Sequence, residues 1–124
     1  MQDFINDYEA ACTKLGRSTE LPDVSMYAPK KAKRVIAAHK LDMILDANND
    51  GWEADLSDTN QEKWYPWFRV VKDSKVSAGF RLAFIVAVYT HGGAHLGARP
   101  ACKSEELAVW MGNNCIPLYE ELLG

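Results

Sequence analysis

Residues 77–90 read Ser-Ala-Gly-Phe-Arg-Leu-Ala-Phe-Ile-Val-Ala-Val-Tyr-Thr, and no other stretch restricts the fold of this chain as much. Ala78, Phe80, Leu82, Phe84, Val86 and Val88 share one parity, so an extended backbone puts them all on one face. A helical period would scatter the large side chains, and β-branched and aromatic residues dominate the run. The pattern predicts a core strand. Its other parity passes from Ser77 and Arg81 to the apolar Ile85, Ala87 and Tyr89, which predicts a second half covered on both faces.

Such a strand needs covering layers, and 124 residues make one domain able to bury about two thirds of its unfolded surface. With 48% hydrophobic and 25% charged residues, the chain falls outside the disordered and collagen-like classes. A net charge of −3 gives no overall field for nucleic acid or anionic lipid, so any polyanion binding has to be local. Cys12, Cys102 and Cys115 are odd in number and widely spaced, which predicts buried thiols in a reducing compartment. The first residues, Met-Gln-Asp-Phe-Ile-Asn-Asp, lack the basic-then-apolar order of a signal peptide, so a cytoplasmic location is expected. The longest apolar run, Leu82 to Tyr89, is far short of the ~20 residues of a membrane-spanning helix.

In chain order, Phe4, Ile5, Tyr8, Cys12 and Leu15 recur at helical spacing over residues 2–15, with Gly16 placed to end the helix. Residues 17–28 read as a loop, and Pro29 opens a second helix over 29–47. That helix is apolar on two sides, which predicts a middle layer between the sheet and the first helix. It carries Lys30, Lys31, Lys33, Arg34 and Lys40, whereas residues 42–62 hold seven acids and no base, a polarity opposed to the helix dipole. Asn48 to Gly51 predict its stop. Trp67 to Lys72 predict a strand, Asp73 to Lys75 a turn, and His91 to His95 a second turn after the core strand. Leu96 to Cys102 predict a third strand, placed at the edge by Pro100. Ser104 caps a last helix in which Pro117 predicts a break near Asn113 to Cys115. The expected fold is therefore α+β: two N-terminal helices, a three-stranded antiparallel meander, and a C-terminal helix packed on the sheet.

Several constellations bear on chemistry. Asp46, Asn48, Asp50 and Gly51 match the opening of a calcium loop, but Ser57 stands where the bidentate acid belongs, so a turn is the better reading. His91, Gly92 and Gly93 resemble an oxyanion loop, yet no Gly-x-Ser-x-Gly elbow exists and the residues read as a hairpin turn. His91, His95, Cys102 and Cys115 offer zinc-type ligands without the short spacing such sites use, and His39 has no nucleophile to serve. No cofactor or metal is expected. Trp52, Trp64, Tyr65, Trp67 and Phe68 form the densest aromatic group, of which strand alternation must turn about half inward.

Asn49-Asp50-Gly51-Trp52, Tyr65-Pro66-Trp67-Phe68, Ser77-Ala78-Gly79-Phe80-Arg81-Leu82 and Cys102-Lys103-Ser104-Glu105-Glu106-Leu107-Ala108 resemble a set of small uncharacterised proteins from gut bacteria and their phages. The likeness spans roughly residues 20–123. It implies a phage or prophage origin, in the host cytoplasm or a virion, and no activity or catalytic residues. Those relatives have Gly-Ser-Arg-Leu-Cys-Phe-Lys-Ser before the final helix, where this chain has Pro100 in Gly97 to Ser104.

The functional expectation is a non-enzymatic binding or assembly protein acting through protein–protein contacts, with Trp52, Trp64, Tyr65, Trp67, Ile85 and Tyr89 as candidate partner-binding residues. A homodimer through the edge at Trp67 to Val71, or through Ile85, Ala87 and Tyr89, would cover exposed backbone and apolar surface. One alternative is a nucleic-acid-binding accessory protein using Lys30, Lys31, Lys33, Arg34 and Lys40. Another is a small enzyme using Asp50, Asp55 and His91.

Overall fold

A computed structural model describes residues 4–76, 79–91 and 101–124. The chain is α+β, in the order α1 (Tyr8–Leu15), α2 (Pro29–Asn49), β1 (Lys63–Lys72), β2 (Phe80–Thr90), α3 (Glu105–Asn114) and α4 (Ile116–Leu123). Local chemistry sets most boundaries. Asp7 caps α1 by accepting from the Glu9 and Ala10 amides, so the helix expected over residues 2–15 starts at Tyr8 among the described residues, and Gly16 closes it at φ 66°. Ser104 caps α3 by accepting from the Leu107 amide, and the predicted break falls at Cys115, with Pro117 in the first turn of α4.

The two strands form an antiparallel hairpin. Its turn is longer than Asp73 to Lys75: the Asp73 amide donates to the Gly79 carbonyl at 3.0 Å, and Gly79 takes φ 81°, a conformation that suits glycine. Where a meander would put the returning chain beside β2, Cys102 pairs with Trp64 of β1, the two amides donating to each other's carbonyls at 2.8 and 3.1 Å. The described residues thus hold two strands and one bridge, and residues 96–100 of the expected third strand lie outside them.

Pro66 lies two residues beyond that bridge, within β1. Because the Trp64 amide points away from β2 toward Cys102, alternation points the nitrogen of Pro66 the same way, and it has no hydrogen to donate. Proline is tolerated inside β1 for the same reason. The outer edge of β2 is occupied differently, its Leu82 amide donating to Glu120 Oε2 of α4 at 2.8 Å.

The helices also layer differently from expectation. α2 lies between α1 and α4, while α3 and α4 cover the sheet. Its unfavourable polarity is offset by a neighbour: Lys14 of α1 donates to the Ala47 carbonyl at 2.7 Å, and Arg17 pairs with Asp46 at 2.9 Å. Two buried asparagines then fix the flanking chain. Asn48 accepts from the Ile5 amide at 2.7 Å and donates to its carbonyl at 2.8 Å, holding residues before α1 extended. Asn49 donates to the Ala101 carbonyl at 3.0 Å and accepts from the Lys103 amide at 2.8 Å, which sets Cys102 beside Trp64.

The main core joins Leu41, Ile44 and Leu45 of α2 to Leu82, Leu107, Met111 and Tyr119, with Cys102 and Cys115 inside it. All three thiols are free and buried. Burial and then the neighbouring Cys115 push the Cys102 thiol up to about 12, burial raises Cys115 to about 11, and burial with the two cysteines raises the Tyr119 phenol. For an acid raised on folding, stability is full below the unfolded value, near 8.5 for cysteine, and declines as pH rises toward the folded one. Urea melts should therefore lose roughly 4 kcal/mol, about 2 for each of Cys102 and Cys115, between pH 7.5 and pH 10. A flat profile over that range would contradict the burial of these thiols.

Candidate functional site

A one-residue mismatch in the hairpin shapes its outer face. Trp67 pairs with Val86 and Phe68 with Phe84, so Ile85 is the extra residue of a bulge in β2. Up to Phe84 the even residues of β2 face the helices, and after the bulge the odd ones do. The single-face reading of Ala78 to Val88 is corrected accordingly: Leu82 is buried, whereas Val86 is 48% exposed and Ala87 has turned into the core. Ser77 and Ala78 lie outside the described residues.

The face opposite the helices has two halves. Near the Cys102 bridge, Tyr65 and Val88 are covered by Trp52, Ala54 and Ala101 in a second, smaller core. Beyond it, Trp67 is 59% exposed, Ile85 54% and Val71 39%, next to Val86. Arg69 pairs across the hairpin with Ala83, and Arg81 with Val71, so both arginines share this face by alternation. Arg81 also meets Asp73 at 2.8 Å. Tryptophan, arginine and branched aliphatic side chains in one exposed group make a surface suited to gripping a protein.

The other candidate partner-binding residues are more enclosed. Trp64 is half-buried and lies against Tyr89, their ring centroids 4.8 Å apart, and Tyr89 keeps half its surface. Tyr65 is buried and Trp52 half-buried. Ile85 and Tyr89 do not form one patch with Ala87, since the bulge sends them to different surroundings.

Lys30, Lys31, Lys33 and Arg34 are exposed along the start of α2, with the Lys31 ammonium 5.0 Å from the centre of the Tyr27 ring. Lys40 lies apart, half-buried and 5.9 Å from the Tyr8 ring centre. His39 contacts the same tyrosine: Tyr8 donates its hydroxyl to the Thr19 carbonyl and meets His39 Nε2 at 3.0 Å.

The calcium-like acids diverge. Asp46 goes to Arg17, Asn48 and Asn49 are buried clamps, and Asp50 sits left-handed at the helix end, 3.8 Å from Lys14. Asp55 turns back on Ser57, whose side-chain and backbone hydrogen bonds lower its carboxyl. Asp50 and Asp55 thus have separate partners, and His91 stacks on Tyr89 at the far end of β2. Cys102 and Cys115 stay protonated thiols at neutral pH, and His95 lies outside the described residues. Among those residues no group of three or more His, Cys, Asp or Glu is placed to hold a metal ion.

Sequence reasoning missed Lys63. Its side chain is enclosed at 1% exposure, with the ammonium donating to the Asp58 and Gln61 carbonyls at 3.4 and 3.3 Å. It thereby gathers the acidic segment before β1, and the available signal was its place as the first base after seven acids.

This is a small α+β protein with a half-covered hairpin. No family model, curated protein or solved structure matches it. No helix among the described residues is long and apolar enough to cross a membrane.

Proposed function

We propose that the protein is a non-enzymatic binding or assembly protein, of phage or prophage type, that engages another protein through the uncovered half of its hairpin. The observation that carries this reading is Trp67, 59% exposed in the middle of a strand, opposite the exposed Val86 and beside the bulged Ile85. A large ring held in a rigid ladder loses little entropy on contact and brings much apolar area. Arg69 and Arg81 complement an acidic rim on the partner. A second copy fits less well, because two-fold packing of this face would set these arginines near their own kind. The Lys30 to Lys40 cluster gives a nucleic-acid reading less support, since Glu120 and Glu121 line the same cleft as Lys30 and Lys33.

A photo-crosslinking residue at position 67, compared with one at the exposed Glu9, tests this in cells of origin. Discrete heterologous adducts are expected at 67 alone, and Arg69→Glu should remove them. Adducts of twice 13.9 kDa would identify the second copy instead, and equal labelling at both positions would end the proposal.

A further inference from the structure

Two basic clusters far apart in sequence meet at one end of the molecule. The start of α2 carries Lys30, Lys31, Lys33 and Arg34, all exposed. The distal half of the hairpin carries Arg69, Lys72, Lys75 and Arg81, also exposed. A cleft joins the two, with Lys30 and Lys33 on one side and Val76, Phe80 and Arg81 on the other. The acids of this end are fewer. Asp23 precedes α2, Asp73 pairs with Arg81 at 2.8 Å, and Glu120 and Glu121 enter the cleft from α4. Glu120 accepts from the neutral Leu82 amide and so keeps its charge. Against these eight bases stand four side-chain acids, and with a carboxylate at Gly124 counted as well the excess is still three positive charges, in a chain of net charge −3. The molecule is therefore polar end to end: α2 spans about 30 Å, with its cations at this end and Asp42 and Asp46 toward the other.

Exposed aliphatic side chains accompany the cations. Met26, three residues before α2, is 74% exposed, Val70 of β1 64%, and Leu123 at the end of α4 60%. Because they come from three different elements, a rigid protein partner would need three separate pockets, whereas one fluid apolar layer receives them all. Nucleic acid rewards rings that stack on bases, not aliphatic side chains. We propose that this end of the molecule docks on an anionic membrane surface, its lysines and arginines at the lipid headgroups and Met26, Val70 and Leu123 entering the interface. Apart from Arg69, the residues named for this contact are not those of the Trp67 surface, so either reading can fail alone.

Flotation of the full chain with vesicles of phosphatidylcholine, alone or with about 30% phosphatidylserine, decides it. At about 0.1 M salt the protein should float with the anionic vesicles and not with the neutral ones, and about 0.5 M salt should release it. Lys72→Gln with Lys75→Gln should weaken binding about 25-fold, roughly fivefold for each charge. Met26→Ser with Val70→Ser should weaken it at least about tenfold while the salt dependence stays as it was. All four side chains are exposed, so the fold is retained. Equal flotation with both vesicles, flotation with neither, or either variant pair without effect would overturn the assignment. A duplex oligonucleotide bound more tightly than the anionic vesicles at the same salt would overturn it in favour of nucleic acid.

Discussion

Gly112→Ala is expected to lower stability by about 2 to 4 kcal/mol, although the same change in an exposed helix raises it by about 1 kcal/mol. Gly112 lies within α3 with an ordinary helical backbone, so conformational freedom is not why glycine is needed there. A Cβ at this position would fall on the Phe84 ring, overlapping Cδ1 and Cε1 and reaching Cγ at 3.0 Å. The ring cannot swing freely, because Phe68 meets it edge-on across the hairpin at 6.3 Å. Either Phe84 leaves its rotamer or α3 lifts from the sheet, and both outweigh the gain in helix propensity. Thermal unfolding should fall by roughly 10 °C. Removing the ring isolates the cause: in a Phe84→Ala background, Gly112→Ala should be neutral or mildly stabilising, a coupling of at least about 2 kcal/mol. Additive costs in the two single variants and the double variant would refute the steric account.

Asn49→Ala should cost about 3 to 5 kcal/mol, more than most polar substitutions. The side chain is 5% exposed and serves two backbone groups across more than fifty residues of sequence, the Ala101 carbonyl and the Lys103 amide. Truncation leaves both without a partner in the interior, at about 1 to 3 kcal/mol each, and releases Cys102 from Trp64. Hydrogen exchange should therefore speed up most at the Trp64 and Cys102 amides, the bridge that depends on this clamp. Asn49→Asp adds a signed test. A carboxylate cannot donate to the Ala101 carbonyl, so its folded pKa is raised, and stability is full below the unfolded value near 4 and lost as pH rises. If Asn49→Asp is as stable at pH 7 as the parent chain, the clamp does not matter.

How far each element was legible depends on the range of the interaction that fixes it. Gly16, Ser104, Pro29 and Pro117 act within one turn of helix, and the ends they announce are where the sequence places them. Asn48 and Asn49 looked like turn formers because short-range propensity makes them so, yet their partners are Ile5, Ala101 and Lys103. Nothing local distinguishes an asparagine that stops a helix from one that holds a distant strand. The order of the sheet has the same origin. A meander is the default for neighbouring strands, but Glu120 takes the Leu82 amide on one edge while Asn49 brings Cys102 to the other.

The exposed site was legible as a composition and not as a geometry. Trp67 and Ile85 were identifiable as partner-binding candidates from aromatic density and strand parity, but parity alone assigned Val86 to the core. A bulge has no reliable mark in a run as uniformly apolar as Phe84 to Val88, because each of these residues tolerates either face. The cleft at the start of α2 was not legible at all. Its lining comes from three elements that meet through packing, and the sequence displayed only the lysines.

By itself, then, the sequence determined the α+β class, the helix stops, the hairpin and the burial of the three thiols, since these follow from propensity, capping and hydrophobic pattern within a few residues. Tertiary structure alone decided the strand neighbours, the bulge at Ile85, the asparagine clamps, the burial of Lys63 and the contact of Gly112 with Phe84. Those depend on which groups distant in the chain must satisfy each other's hydrogen bonds or share one volume, and that becomes defined only when the layers close.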